Sequence, residues 1–159
     1  MKKIISALIF SFVLLGAWGQ NVPQNIIIKD MNGNALTFAE ARKGEPAVVL
    51  FWSTTCRPCM TELTAMTKIE EEWKGKIKVI AISTDDARSA NKIKSLVKSR
   101  NWNFEIYSDD TFSLYKAFNV NSIPASFVLD CEGKVQYAHT GYKPGDEKVL
   151  IENALKYVK

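Results

Sequence analysis

Cysteine and histidine are scarce in this sequence, with three of the first and one of the second among 159 residues. A small exported fold stapled by several disulfides is excluded by that count, because at most one intramolecular pair can form and one thiol is left over. An excess of one charge is lacking too: 21 Lys and Arg stand against 17 Asp and Glu, a net of +4. Nothing in that balance points to nucleic acid. The apolar run Ile4 to Leu15 falls short of the roughly 20 residues that span a bilayer, so a retained transmembrane anchor is disfavoured. No internal repeat and no low-complexity segment is visible.

What the N-terminus does have is the pattern of an export signal. Met1-Lys2-Lys3 precedes the apolar run, and Ala17-Trp18-Gly19 places small residues where a signal peptidase reads. Residues 1–19 are therefore expected to be a signal peptide and 20–159 a single domain outside the cytoplasm, periplasmic or equivalent. Because the signal carries two basic residues and no acidic one, the remainder has a net charge of about +2. The domain is large enough to bury a sizeable core without a disulfide. A lone C-x-x-C pair in an oxidising compartment is then better read as chemistry than as scaffold.

The periodicities predict a mixed α/β domain. Ile26 to Lys29 and Ala35 to Phe38 read as strands around the turn-forming pair Asn32-Gly33. Ala47 to Trp52 is a continuous apolar run of strand formers, expected to be a central strand covered on both faces. From Cys56 or Pro58 to Trp73, apolar residues at Met60, Leu63, Met66, Ile69 and Trp73 predict one amphipathic helix. A strand at Ile77 to Ile82, a helix at Ala87 to Arg100, a strand at Phe104 to Tyr107 and a short helix at Thr111 to Phe118 follow. Strands Ala125 to Leu129 and Lys134 to Ala138 are joined by a turn, and a helix from Asp146 to Val158 is expected to bury Val149, Leu150, Leu155 and Val158. The acidic runs Glu70-Glu71-Glu72 and Asp85-Asp86 read as solvated surface.

Cys56-Arg57-Pro58-Cys59 falls between the buried strand and the helix, so Cys56 sits where unpaired N–H groups and the helix dipole favour a thiolate. Arg57 adds a cation beside it, and Pro58, lacking an N–H, suits a first helical turn. Cys59, one turn in, is more shielded and can resolve a mixed disulfide formed on Cys56. Two other readings of the pair stay open: a structural disulfide, or a zinc half-site completed by Cys131 and His139. Glu62 follows Cys59 by three residues on the same side of the helix, either as a proton-handling carboxylate or as an early-turn glutamate suited to the dipole. Cys131 is expected in a surface turn as a bystander thiol, and His139 has no visible partner.

The run VLFWSTTCRPCMTEL resembles the active-site segment of the thioredoxin superfamily, and in particular its exported TlpA/ResA-like branch. Similarity of layout extends from about Ile26 to the C-terminus. Asn121-Ser122-Ile123-Pro124 resembles the family's cis-proline loop, and the stretch from Val79 to Asp110 resembles this branch's extra strand and helix. The fold implied is a central mixed sheet flanked by helices, with an N-terminal hairpin and a strand-helix insertion. The resemblance implies a redox-active Cys56–Cys59 disulfide with no other cofactor and no metal, and Glu62 modulating thiol ionisation. It places Trp52, Arg57, Pro58, Ile123 and Pro124 at the substrate-binding surface, Trp52 shielding the disulfide by packing. Leu50 stands where thioredoxin has a buried aspartate, which leaves Glu62 as the candidate for proton handling. Other departures leave the substrate open: Thr55 stands where thioredoxin has a second aromatic, and Ala125 and Ser126 follow the proline where threonine is frequent.

The expected function is thiol-disulfide exchange with protein thiols by a monomer, as a reductant supplied by a membrane-bound electron donor, in cytochrome c maturation for several members of the branch. A peroxiredoxin would carry a proline seven residues before Cys56, where Val49 stands. A binding module using only the proline groove would need neither cysteine.

Overall fold

The structure, a computed structural model, describes residues 21–159. The signal peptide expected at 1–19 lies outside the described residues. Seven strands form one sheet in the order β2-β1-β5-β4-β3-β6-β7. They are β1 (Ile27–Lys29), β2 (Ala35–Thr37), β3 (Ala47–Trp52), β4 (Lys78–Ser83), β5 (Glu105–Ser108), β6 (Ala125–Leu129) and β7 (Val135–Thr140). The helices are α1 (Phe38–Arg42), α2 (Arg57–Lys68), α3 (Glu70–Trp73), α4 (Ala90–Arg100), α5 (Ser113–Ala117) and α6 (Asp146–Leu155). Strands β3, β4 and β5 run parallel, joined by helical crossovers, while β1–β2, β1–β5, β3–β6 and β6–β7 are antiparallel. The mixed sheet is the architecture the sequence predicts.

Strand β3 shows why its sequence is apolar without alternation: all six residues are buried. Side chains of a strand point alternately to opposite faces. Val48, Leu50 and Trp52 enter one core with Leu63 and Met66 of α2, Trp73 of α3, Ile93 of α4 and Leu150, Ile151 and Ala154 of α6. Ala47, Val49 and Phe51 enter the other with Phe38, Leu114, Phe118 and Phe127. Phe51, Phe118 and Phe127 pack as a trio with ring centroids 4.8 to 5.9 Å apart. Among the described residues no helix is long and apolar enough to cross a membrane.

Two local expectations are corrected. The helix predicted from the motif to Trp73 is interrupted at Ile69, whose backbone (φ −108°, ψ 24°) leaves the helical region. The hydroxyls of Thr61, Thr64 and Thr67 each donate to the carbonyl four residues back, a bond that bends helices, and the Trp73 indole N–H donates to the Met66 carbonyl at 3.0 Å. In α6, which ends at Leu155, the inward face is Glu147, Leu150, Ile151 and Ala154. Val149 and Val158, expected in the core, are exposed.

Candidate active site at the start of helix α2

Strand β3 ends at Trp52, and a tight turn closed by the Cys56 N–H donating to the Ser53 carbonyl (3.1 Å) leads into α2. Cys56 is the N-cap of that helix, with extended backbone (φ −88°, ψ 98°), and its Sγ accepts the Cys59 N–H at 3.3 Å. A sulfur in that position lies against unpaired amides at the positive end of the helix dipole. Arg57 and Pro58 follow in the first turn, both exposed. Cys56 and Cys59 form a disulfide with Cα atoms 5.3 Å apart. Cys56 is partly exposed, whereas Cys59 is 1 % exposed. The two sulfurs thus differ in access in the sense the helix start dictates.

At the head of β6, whose Ala125 pairs with Phe51 near the end of β3, the Ile123–Pro124 peptide bond is cis. Ile123 is partly exposed and Pro124 buried, and the Pro124 carbonyl accepts the Gly141 N–H at 2.8 Å. Ile123 packs against both cores, and its backbone N–H and C=O carry no hydrogen bond among the described residues. Trp52 is a correction. Expected at the substrate-binding surface, it is 1 % exposed and packs edge-on to Trp102 at 5.3 Å, in the same core as Cys59. As the last residue of β3 its side chain points inward, into the core that also holds Cys59, and not toward solvent.

Glu62 is 1 % exposed, and its Oε1 accepts the Ser126 hydroxyl at 2.6 Å. Burial pushes its carboxyl up to about 7, against the Ser126 hydrogen bond, and the nearby Asp146 and Glu147 act in the same direction as burial. Ser126 lies on β6 two residues after the cis proline; the sequence marks it only as a departure from the family's threonine, and nothing in the local pattern ties it to a residue 64 positions away. His139, for which the sequence shows no partner, stands directly opposite Ser126 on β7 and pairs through Nε2 with Asp146 Oδ2 at 3.0 Å. Glu147, beside it, accepts from the Tyr142 hydroxyl and the Gly145 N–H. The buried carboxyl is therefore bordered by an acidic helix start whose own charges are taken up by local donors.

The zinc half-site is not assembled. The two motif sulfurs are bonded to each other, Cys131 Sγ lies 3.5 Å from the Tyr157 carbonyl, and His139 faces Asp146. Among the described residues no three His, Cys, Asp or Glu gather as a metal site.

Residues 18–138 match the AhpC/TSA family. The chain belongs to that family. The thioredoxin-like protein YneN of Bacillus subtilis is 30 % identical over 124 residues, covering 77 % of this chain and 71 % of YneN. The thiol-disulfide oxidoreductase ResA of Bacillus cereus is 29 % identical over 118 residues, covering 74 % of this chain and 66 % of ResA. The solution structure of a thioredoxin-like protein from Porphyromonas gingivalis superposes with a TM-score of 0.72 at 32 % identity, over 86 % of this chain and 91 % of that one. This AhpC/TSA member is a thioredoxin-like oxidoreductase, and its α/β sheet with flanking helices is the thioredoxin-like fold.

Proposed function

We propose that the protein is a thiol-disulfide oxidoreductase acting outside the cytoplasm, where it reduces protein disulfides as a monomer and with no cofactor beyond its own Cys56–Cys59 pair. The observation that carries this reading is the asymmetry of the pair: a partly exposed sulfur at a helix N-terminus and a buried one a turn away, close in sequence to a buried carboxyl. In the reduced protein the Cys56 thiolate attacks a substrate disulfide and releases one substrate thiolate. Cys59 then gives its proton to the Glu62 carboxylate and attacks Cys56 Sγ, which releases the second substrate thiolate and closes the Cys56–Cys59 disulfide. Two electrons pass to the substrate, and a dithiol donor returns them.

The surroundings of the pair support that direction. A carboxylate held in the interior near Cys59 disfavours a second negative charge there, which raises the thiol and makes the dithiol the stronger reductant. The amides of α2 and Arg57 work the other way on Cys56, and of these Arg57 stands in solvent, where charge is screened. The relatives named thiol-disulfide oxidoreductases support disulfide exchange; the resemblance to the TlpA/ResA-like branch adds to this proposal a membrane-bound donor and an apocytochrome c as substrate class. Exposed Arg57 and Pro58 and the unbonded backbone of Ile123 frame the place where an extended substrate segment can add alongside.

The test is trapping in the native compartment. Cys59→Ser should accumulate mixed disulfides on Cys56, and Cys56→Ser should accumulate none and lose insulin-disulfide reduction altogether. Captured cytochrome precursors would support the haem-attachment substrate; a broad set would assign general reduction instead. Peroxide turnover that is fast and dependent on Cys56 would overturn the proposal.

A further inference from the structure

Asp85, whose sequence context reads as solvated surface, is half-buried and turned back onto the segment that carries Cys56. Its Oδ2 accepts the Thr54 backbone N–H at 2.8 Å and the Ser83 hydroxyl at 2.8 Å, and its Oδ1 accepts the Thr54 hydroxyl at 2.9 Å. The Asp85 N–H in turn donates to Ser83 Oγ at 3.1 Å. Thr54 and Ser83 are both buried. One residue before Asp85, Thr84 gives both its N–H and its hydroxyl to the Trp52 carbonyl, at 2.9 and 3.2 Å. The end of β4 therefore grips the chain leaving β3 at Trp52 and again at Thr54. Thr54 is the first corner of the turn that the Cys56 N–H closes onto the Ser53 carbonyl.

We propose that Asp85 is a positioning residue: through Thr54 it fixes the turn that sets the Cys56 sulfur over the free amides of α2. The inference rests on the disulfide-exchange reading only in what the held sulfur is for. Three donors on two oxygens suit a carboxylate. In asparagine a donor nitrogen replaces one oxygen, so the Thr54 hydroxyl must reverse from donor to acceptor and every bond loses the carboxylate's charge, which weakens the tie to Thr54. Charge and position predict opposite outcomes. As a bare negative charge near the motif, Asp85 would oppose a thiolate on Cys56, and removing it would favour ionisation. As a clasp, its loss loosens the turn and moves the sulfur off the amides, which disfavours ionisation.

The experiment reads Cys56 alkylation by iodoacetamide across pH in the reduced protein, with each thiol followed separately by mass spectrometry. Arg57 and Glu62, the other charged groups of the site, are retained in every variant. Asp85→Asn and Thr54→Val should each slow Cys56 alkylation at neutral pH about tenfold, the factor expected for one charge-assisted hydrogen bond of positioning, with the profile displaced to higher pH. The double variant should be no slower than the slower single one, because both break the same tie. Thr54→Ser keeps the hydroxyl and should keep the wild-type profile. Faster or unchanged alkylation in Asp85→Asn, or additive effects in the double variant, overturns the inference. Should Asp85→Asn not fold, identical profiles for Thr54→Val and Thr54→Ser overturn it equally. Insulin-disulfide reduction by the wild type separates the two claims: no turnover there, with the alkylation effects intact, defeats the redox function and leaves the clasp standing.

Discussion

Replacing Glu62 with Gln keeps the size of the side chain and an oxygen for the Ser126 hydroxyl, but removes the ionisation. Because burial raises this carboxyl from 4.5 to about 7, the folded protein holds its proton over a window in which the unfolded chain has released it. Stability from this group is therefore complete below the unfolded value and is lost as pH rises through the folded one. At about 1.4 kcal/mol for each pH unit, the displacement amounts to roughly 3 kcal/mol between the two limits. Urea unfolding of the oxidised protein at about pH 5 and about pH 8.5 reads this directly, and the disulfide form is the right one because bonded Cys56 and Cys59 do not titrate. The wild type should lose roughly 3 kcal/mol more than Glu62→Gln across that interval, a urea-midpoint difference of about 1.5 M at a slope near 2 kcal/mol per M. The variant should be the more stable protein at the alkaline end and the slower enzyme everywhere. Parallel pH profiles of stability for the two proteins would show that the carboxyl is solvated in solution, and the proton-transfer role would fall with its burial.

Ser126→Ala removes the one contact that favours the charged carboxylate, so Glu62 should titrate about one pH unit higher still, as followed by the NMR shift of its carboxyl carbon. Arg42, 3 % exposed, donates to the Gln24 side chain and to the carbonyls of Glu45, Asp130 and Cys131. Arg42→Met should cost about 3 kcal/mol in thermal or urea unfolding by leaving buried carbonyls unpaired, while Cys56 reactivity stays at the wild-type level. Thr64→Val deprives the Trp102 indole N–H of its acceptor, at 3.2 Å in the wild type, and should cost about 1 to 2 kcal/mol with a changed near-ultraviolet signal from the Trp52–Trp102 pair.

How much of this site the sequence discloses depends on how far apart the interacting residues lie along the chain. The unequal exposure of Cys56 and Cys59 is legible because a single turn of helix separates them and the preceding apolar strand fixes where that helix begins. The sheet is legible for a similar reason: β3 and β4 are runs of strand formers too continuous to lie at a surface. Trp52 misleads because its neighbour in sequence is the motif, while its direction is set by the alternation of β3, which turns it into the core. Val149 misleads because apolar character at every third or fourth place does not by itself say which of two adjacent stripes of α6 faces the sheet. Residues such as Ser126, His139 and Asp85 give no local sign of their roles, since each acquires its partner only when β6, β7 or β4 is laid beside another element.

The same distinction bears on what sets the reactivity of the pair. Everything local to α2 favours a thiolate: the helix start, Arg57, and the Cys59 N–H directed at Cys56 Sγ. What tempers it comes from afar, because Glu62 owes its environment to Ser126 on β6 and to the start of α6, and the turn that holds Cys56 over those amides is itself fixed from afar, by Asp85 after β4. Relatives that share the four-residue motif can therefore differ widely in reducing power, since about 30 mV, or 1.4 kcal/mol, is within reach of a single hydrogen bond. Exchanging Ser126 or Asp85 between such relatives should move the redox potential more than exchanging Arg57, whose charge stands in water and is screened there. Equal shifts from all three positions would place the control in the motif itself and not in the sheet that carries it.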